Sequence, residues 1–231
     1  MTVSTTKNPI SENRTAAAPA APRHHLRSVV KGVASALALA LMAPLAATCW
    51  IEALIPGRNE WFLFWAQTLS LAPGLPGRFL RRAFYRLTLQ KCSMSCDIGF
   101  LSYFNDRRSE VGPGAYIGFG VALGLVSIGE GCLIGSRVSI LNGGHQHELG
   151  PDGRLTPFDW ETAQRVRLGE QTWIGEGAIL MADIGRYCVV GAGSVISRPI
   201  SDGSVVVGNP PRLVRKQTAP GGGDFQKGPQ P

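Results

Sequence analysis

From Val111 to Gly208 an aliphatic residue followed by glycine returns about every six positions. The pairs are Val111-Gly112, Ile117-Gly118, Leu123-Gly124, Ile128-Gly129, Ile134-Gly135, Leu168-Gly169, Ile174-Gly175, Ile184-Gly185, Val190-Gly191 and Val207-Gly208. Ile140-Leu141, Leu180-Met181 and Ile196-Ser197 hold the phase where glycine is missing. A period of six is neither that of an amphipathic helix nor the alternation of a simple strand. The chain must therefore turn a corner every six residues and send one aliphatic side chain inward each time. Three corners close a triangular coil. Stacked coils form an all-β parallel solenoid in which each inward residue rests on its counterpart one coil away, and the small following residue lets the backbone bend without a Cβ clash.

The N-terminal third follows a different pattern. Gly32 to Ile51 is a run of twenty residues without a formal charge, preceded by Arg23, Arg27 and Lys31; as a helix it spans about 30 Å, the thickness of a hydrocarbon core. A solenoid of this size offers no second core to bury a helix that is apolar all round. The leader before the run is too long for a signal peptide, and Thr48 stands before Cys49 where a lipoprotein site prefers Gly, Ala or Ser. A second uncharged run, Trp61 to Gly77, carries Trp61 and Trp65 near its start and Pro73 and Pro76 near its end. Arg78, Arg81, Arg82 and Arg86 follow, interleaved with Leu80, Phe84 and Leu87 at helical spacing. This pattern predicts an amphipathic helix on an anionic membrane surface, the alternative being a basic face packed on the solenoid. Cations on both sides of the apolar pair predict a hairpin or re-entrant foot on the cytoplasmic face of the inner membrane, with Pro44 able to supply the bend; the alternative is a straight single span, which would put the solenoid outside.

Charge sharpens this division. Residues 1 to 88 hold ten Lys/Arg against three Asp/Glu, the whole formal excess of +7, and residues 89 to 216 hold twelve of each. A neutral solenoid without a basic stripe argues against nucleic acid as partner. Five cysteines, Cys49, Cys92, Cys96, Cys132 and Cys188, form no CxxC pair and are expected to be buried, inert thiols of a reducing compartment. Residues 1–27 and 217–231, rich in Pro, Ala, Gly and Thr, are expected to be a disordered leader and tail, flanking a membrane-associated helical segment over 28–88 and the solenoid over 89–216.

The repeat breaks once, between Asn142 and Val166. The interruption holds both histidines of the solenoid region, His145 and His147, with Glu148, Asp152, Asp159, Trp160 and Glu161. A long loop on a rigid coil is where binding and catalytic groups collect. Imidazole titrates near neutrality and suits a general base, and backbone N–H groups at glycine-rich corners suit a developing oxyanion. Glu148 and Asp159 are both candidates to orient the imidazole.

The stretches VGPGAYIGFGVALGLVSIGEGCLIGSRVS and LGEQTWIGEGAI, and the closing GNPPRLVRK, resemble the hexapeptide-repeat acyltransferases, the left-handed parallel β-helix family that includes sugar and polysaccharide O-acetyltransferases. The resemblance runs from about Ile98 to Lys216 and implies a left-handed crossover, against the usual rule. In this family a histidine follows a glycine at a strand end, and VSILNGGH places that role on His145, with Gln146 departing from the usual Asp or Pro and His147 as the other candidate. The resemblance further implies acetyl-CoA as donor, with Ala192, Ser197, Arg212 and Arg215 at the CoA site and Asn142, Glu148, Asp159 and Trp160 toward a saccharide acceptor. It also implies a homotrimer with sites between subunits. With the membrane foot, the expectation is a membrane-associated O-acetyltransferase acting on a surface polysaccharide or lipid-linked saccharide precursor. A non-catalytic trimeric membrane scaffold is the alternative. A metal-dependent hydratase of the carbonic anhydrase type is a weaker one, because it needs about three histidine ligands where the region has two; no metal is expected.

Overall fold

A computed structural model describes residues 23–143, 149–156 and 163–217. From Lys91 onward, short strands alternate with bends and wind into a left-handed β-helix of six coils with three faces. The first face stacks Lys91–Cys92, Glu110–Val111, Val126–Ile128 and Val166–Leu168, and continues through single bridges at Ile184 and Ile200. The second stacks Asp97–Ile98, Tyr116–Ile117, Leu133–Ile134, Trp173–Ile174, Val189–Val190 and Ser204–Val207. The third stacks Tyr103–Phe104, Ala122–Leu123, Ser139–Ile140, Ile179–Leu180 and Val195–Ile196. All these pairings are parallel; the last strand, Arg212–Lys216, turns back antiparallel along Ser204–Val207 and closes the second face.

Each coil buries one side chain per face. On the second face the inward column is Ile98, Ile117, Ile134, Ile174, Val190 and Val206, none more than 3% exposed. Burying such a side chain contributes about 1.5–3 kcal/mol, so the column is the main cohesive element of the domain. At both ends the repeat differs from its sequence pattern. The first coil is built on Cys92, Ile98 and Phe104, because cysteine and phenylalanine fill places that an aliphatic-Gly count passes over. In the last coil Val206, not Val207, pairs with Val190 and faces in, and strand alternation turns Val207 out, 41% exposed.

An open solenoid end exposes an apolar cross-section, and three helices, α1 (Arg23–Glu52), α2 (Glu60–Ser70) and α3 (Gly74–Thr88), cover it. Phe84 and Tyr85 of α3 are fully buried, and the Tyr85 hydroxyl accepts the Phe104 N–H at 3.2 Å. Burial pushes the Tyr85 phenol well up. Arg81 is also fully buried: its Nε donates to the Ile98 carbonyl at 3.0 Å, and its Nη1 to the carbonyls of Leu69 at 3.2 Å and Ala72 at 2.6 Å. Those last carbonyls lie at the C-terminus of α2, where a cation offsets the partial negative charge of the helix end. Arg78 pairs with Asp97 of the first coil, and Arg82 stacks over Phe79 and donates to Ser35 Oγ of α1. This corrects the expected membrane-surface role of α3: Arg78, Arg81 and Arg82 fasten the helices to one another and to the solenoid.

The structure also corrects the bend. α1 begins at Arg23, inside the segment expected to be leader, and runs through Pro44 without a break; the chain reverses instead over residues 53–59. Ala38, Met42, Ala46 and Cys49 face the core. Arg107 of the solenoid donates to the carbonyls of Cys49 at 3.1 Å and Arg58 at 3.3 Å, and Trp50 Nε1 donates to the Leu87 carbonyl. The other side of α1 is apolar and open: Val33, Leu37, Leu41, Trp50 and Ile51 are each more than half exposed. Val29–Glu52 is long and apolar enough to cross a membrane by length and composition. All five cysteines are buried free thiols, and burial raises those of Cys132 and Cys188. Most of the expected leader and tail, 1–22 and 218–231, lie outside the described residues.

Candidate active site at the interrupted corner

The break in the repeat falls at the edge where the third face turns into the first. Its outgoing limb leaves Ser139–Ile140 and its return limb enters Val166–Leu168. The base is clamped by Asn142: its side-chain oxygen accepts the Leu125 N–H one coil below, and its carbonyl accepts the Gln164 N–H at 3.2 Å. Gly143 has φ +89°, and a Cβ there would fall 2.9 Å from Gln164 Cβ, so the two limbs meet at this point with no room for a side chain. Farther out, Leu149 and Leu155 bridge antiparallel around a turn closed by Gly150 N–H to the Arg154 carbonyl at 2.7 Å.

Beside the clamp lies a cleft of about 490 Å³ lined by Gly143, Gln164, Arg165, Arg167, Met181, Asp183 and Ser197 among others, a size typical of small-molecule sites. Asp183 orders its floor by accepting the Arg167 N–H at 2.8 Å. Arg165 turns back along the edge, with Nη1 3.0 Å from Glu110 Oε1 and Nη2 donating to Gln90 Oε1 at 3.0 Å and the Arg108 carbonyl at 2.8 Å. The return limb is thereby tied to the first two coils.

Of the residues singled out in the sequence, Ser197 opens into this cleft. Asn142 does not line it; its side-chain oxygen accepts the Leu125 N–H at the loop base, which makes it a positioning residue at that atom. Ala192 is exposed at the opposite end of the third face, and Arg212 sits near that corner, opposite Val207. Arg215 pairs with Val205 toward the other end of the same exposed strand. The four residues expected at the CoA site thus do not converge within one chain: Ala192 and Arg212 share a corner, while Ser197 lies at the interrupted corner and Arg215 at the far end of the last strand. His145, His147, Glu148, Asp159 and Trp160 lie outside the described residues. Arg165, Arg167, Met181 and Asp183 were not singled out; the only signal for them was the alternation Arg165-Val166-Arg167, which sends two cations outward where the repeat resumes.

No protein-family model matches the chain. Nodulation protein L of Rhizobium meliloti (strain 1021) is 32% identical over 178 residues, 73% of this chain and 85% of that protein. Galactoside O-acetyltransferase of Lactococcus lactis is 29% identical over 122 residues, 51% of this chain and 57% of its own length, and the Escherichia coli galactoside O-acetyltransferase is 32% identical over 95 residues, 44% of its length. The chain therefore spans about half the length of these two galactoside O-acetyltransferases. Among solved structures, a maltose O-acetyltransferase from Clostridium difficile 630 superposes with a TM-score of 0.60 at 21% identity, over 73% of this chain and 90% of that one. A hexapeptide-repeat-containing acetyltransferase of Vibrio cholerae O1 biovar eltor, complexed with acetyl-coenzyme A, superposes with a TM-score of 0.50 at 18% identity, over 71% and 92%. The kinship with nodulation protein L over 85% of its length, on a left-handed parallel solenoid, shows that the chain belongs to the hexapeptide-repeat acyltransferase family. The galactoside relatives are O-acetyltransferases by name.

Proposed function

We propose that this protein is a membrane-associated O-acetyltransferase that moves an acetyl group from acetyl-CoA to a sugar hydroxyl of a lipid-linked saccharide or surface polysaccharide precursor, with His145 as general base. The observation that carries the reading is the kinship with nodulation protein L over 85% of that protein, together with a single interruption of the coil that opens on the 490 Å³ cleft and contains both histidines of the solenoid region. The names of the galactoside and maltose O-acetyltransferases support a sugar hydroxyl as acceptor, and the acetyl-coenzyme A in the Vibrio cholerae complex supports the donor. The imidazole takes the hydroxyl proton as the oxygen attacks the thioester carbonyl; the tetrahedral intermediate then expels the CoA thiolate, which the protonated imidazole can neutralise. Arg212 and Arg215 are the cations offered to CoA phosphates.

Membrane association rests on the open side of α1. Because α1 is held by Arg82 at Ser35 and by Arg107 at Cys49, one face meets lipid, and the helix lies in the plane of the membrane surface. Acyl-CoA is cytoplasmic, which places the solenoid on the cytoplasmic face. The outward ladder of the second face, Tyr116, Leu133 and Trp173, about half exposed and in direct register, supports self-association into a homotrimer. The test is calorimetric titration of the purified protein with acetyl-CoA, followed by thiol release in the presence of saccharide acceptors. Binding with acceptor-dependent CoA release is expected; neither, in a folded protein, would leave the non-catalytic scaffold.

A further inference from the structure

We infer that a second cleft, where α1 turns into α2, is the seat of the hydrocarbon tail of the acceptor; the inference rests on the lipid-linked acceptor of the proposed function. The cleft holds about 460 Å³ and is lined by Thr48, Ile51, Glu52, Ile55, Arg58, Glu60 and Trp61. Its walls are apolar: Ile51, Ile55 and Trp61 expose 67%, 48% and 51% of their surface. Its interior polar groups are already engaged. Glu52, 5% exposed, accepts the N–H groups of Trp61 at 2.9 Å and Phe62 at 3.3 Å, capping α2, and Thr48 Oγ1 lies between the Leu45 carbonyl and Trp65 Nε1. Arg58 and Glu60 complete the polar part of the lining. Such a site favours an amphiphile, with a hydrocarbon chain inside and a polar head at the charged rim.

Two observations favour a lipid tail over a protein segment. The open apolar side of α1, Leu37, Leu41 and Ile51, runs into the cleft and continues past it at Leu54, so a chain leaving the membrane surface reaches it without crossing water. The cleft is also joined to the candidate active site by one short strap on the same edge of the solenoid. Asn105 and Arg107 of the strap bind the helical turn, through Asn59 Nδ2 on the Asn105 carbonyl at 2.7 Å and Arg107 on the Cys49 and Arg58 carbonyls. The next carbonyl, Arg108, accepts Arg165 of the interrupting loop's return limb. A tail held at Ile55 and Trp61 thus leaves its head on the edge from which the loop projects.

The probe is a diazirine-bearing farnesyl phosphate added to the full-length protein in phosphatidylcholine nanodiscs, with cross-links mapped by mass spectrometry. Saturable labelling within residues 48–61, displaced by unlabelled farnesyl phosphate and not by inorganic phosphate, and reduced at least fivefold by Ile55→Asp, is expected. A melting curve for Ile55→Asp, with Ile51→Ser as the milder variant, separates a lost site from a lost fold. In acyl transfer, both variants should narrow the preference for a tailed over a tail-less saccharide. Labelling spread evenly along α1, or unchanged in both variants, would overturn the tail site and leave simple partition into lipid or a protein occupant. The labelling does not depend on catalysis: a labelled cleft in a protein without transferase activity defeats the functional reading alone, and an active enzyme with an unlabelled cleft defeats this inference alone.

Discussion

Two glycines of the solenoid separate steric from conformational need, and replacing each by alanine gives different losses. Gly169 follows the inward Leu168, and a Cβ built on it would fall 2.4 Å from the Arg186 nitrogen and 2.5 Å from the Gly185 carbonyl carbon. Both are backbone atoms of the next coil, fixed by the Gly169 N–H to the Ile184 carbonyl at 2.8 Å, so relief requires parting two coils. Overpacking of this kind costs about 3 kcal/mol. Gly177 has φ +68° and nothing within 4 Å of its Cβ, so Gly177→Ala pays only for the left-handed backbone, about 1 kcal/mol. The fold itself shows that such a corner tolerates side chains, since Leu101, Arg137, Gln171 and Tyr187 stand at φ between 54° and 61°. With roughly 2–4 °C of melting temperature per kcal/mol for a domain of this size, Gly169→Ala should melt roughly 6–12 °C below the parent and Gly177→Ala no more than about 4 °C. Differential scanning calorimetry reads both. Equal losses would refute the claim that glycine after the aliphatic residue serves coil-to-coil contact.

Arg81→Met should cost about 2–4 kcal/mol, because buried carbonyls at the end of α2 and at Ile98 lose their donor, whereas Arg78→Ala at a half-exposed pair should cost under about 1 kcal/mol; hydrogen exchange over residues 60–88 reports the loosening, and unchanged protection in Arg81→Met would contradict it. Asp202 accepts the Arg186 N–H at 2.9 Å and its guanidinium at 3.0 Å, which together hold its carboxyl below the usual range. A depressed carboxyl stabilises above its unfolded value, about 3.9, and that stability is lost as pH falls through the lower folded value. Asp202→Asn should therefore lower the melting temperature at pH 7 and lose less than the parent on acidification; parallel acid curves would discount the pair. Arg212→Ala should raise the KM for acetyl-CoA more than it lowers kcat, with an effect that shrinks at high salt, and an unchanged KM at low salt would leave Arg212 as part of the cap alone.

The solenoid was legible in the sequence because its cause is local and repeated: one inward aliphatic and one small residue per corner, read directly at Ile117-Gly118 or Ile174-Gly175. The ends were less legible where other residues fill the same role, as Cys92 and Phe104 do, or where an aliphatic-glycine pair stands one position out of phase, as Val207-Gly208 does beside the inward Val206. The helical cap was misread for a physical reason. An arginine stripe at helical spacing looks the same whether it faces phosphates or carbonyls, and only the fold brings Arg81 onto the end of α2. The interrupted corner was visible as a break in the repeat, and its histidines were visible by type. Its walls were not, since Arg165, Met181 and Asp183 come together through coil stacking, and beyond the alternation Arg165-Val166-Arg167 no local pattern marks them.

The central claim is that the interrupting loop supplies the base for acyl transfer, and paired kinetics of His145→Ala and His147→Ala test it most directly. With acetyl-CoA and an accepted saccharide, His145→Ala should lower kcat by about 10²–10⁴ while the Kd for acetyl-CoA stays at the parent value, and His147→Ala should keep most of the turnover. Full turnover in His145→Ala would contradict the assignment, and full turnover in both variants would remove the loop histidines from the chemistry altogether.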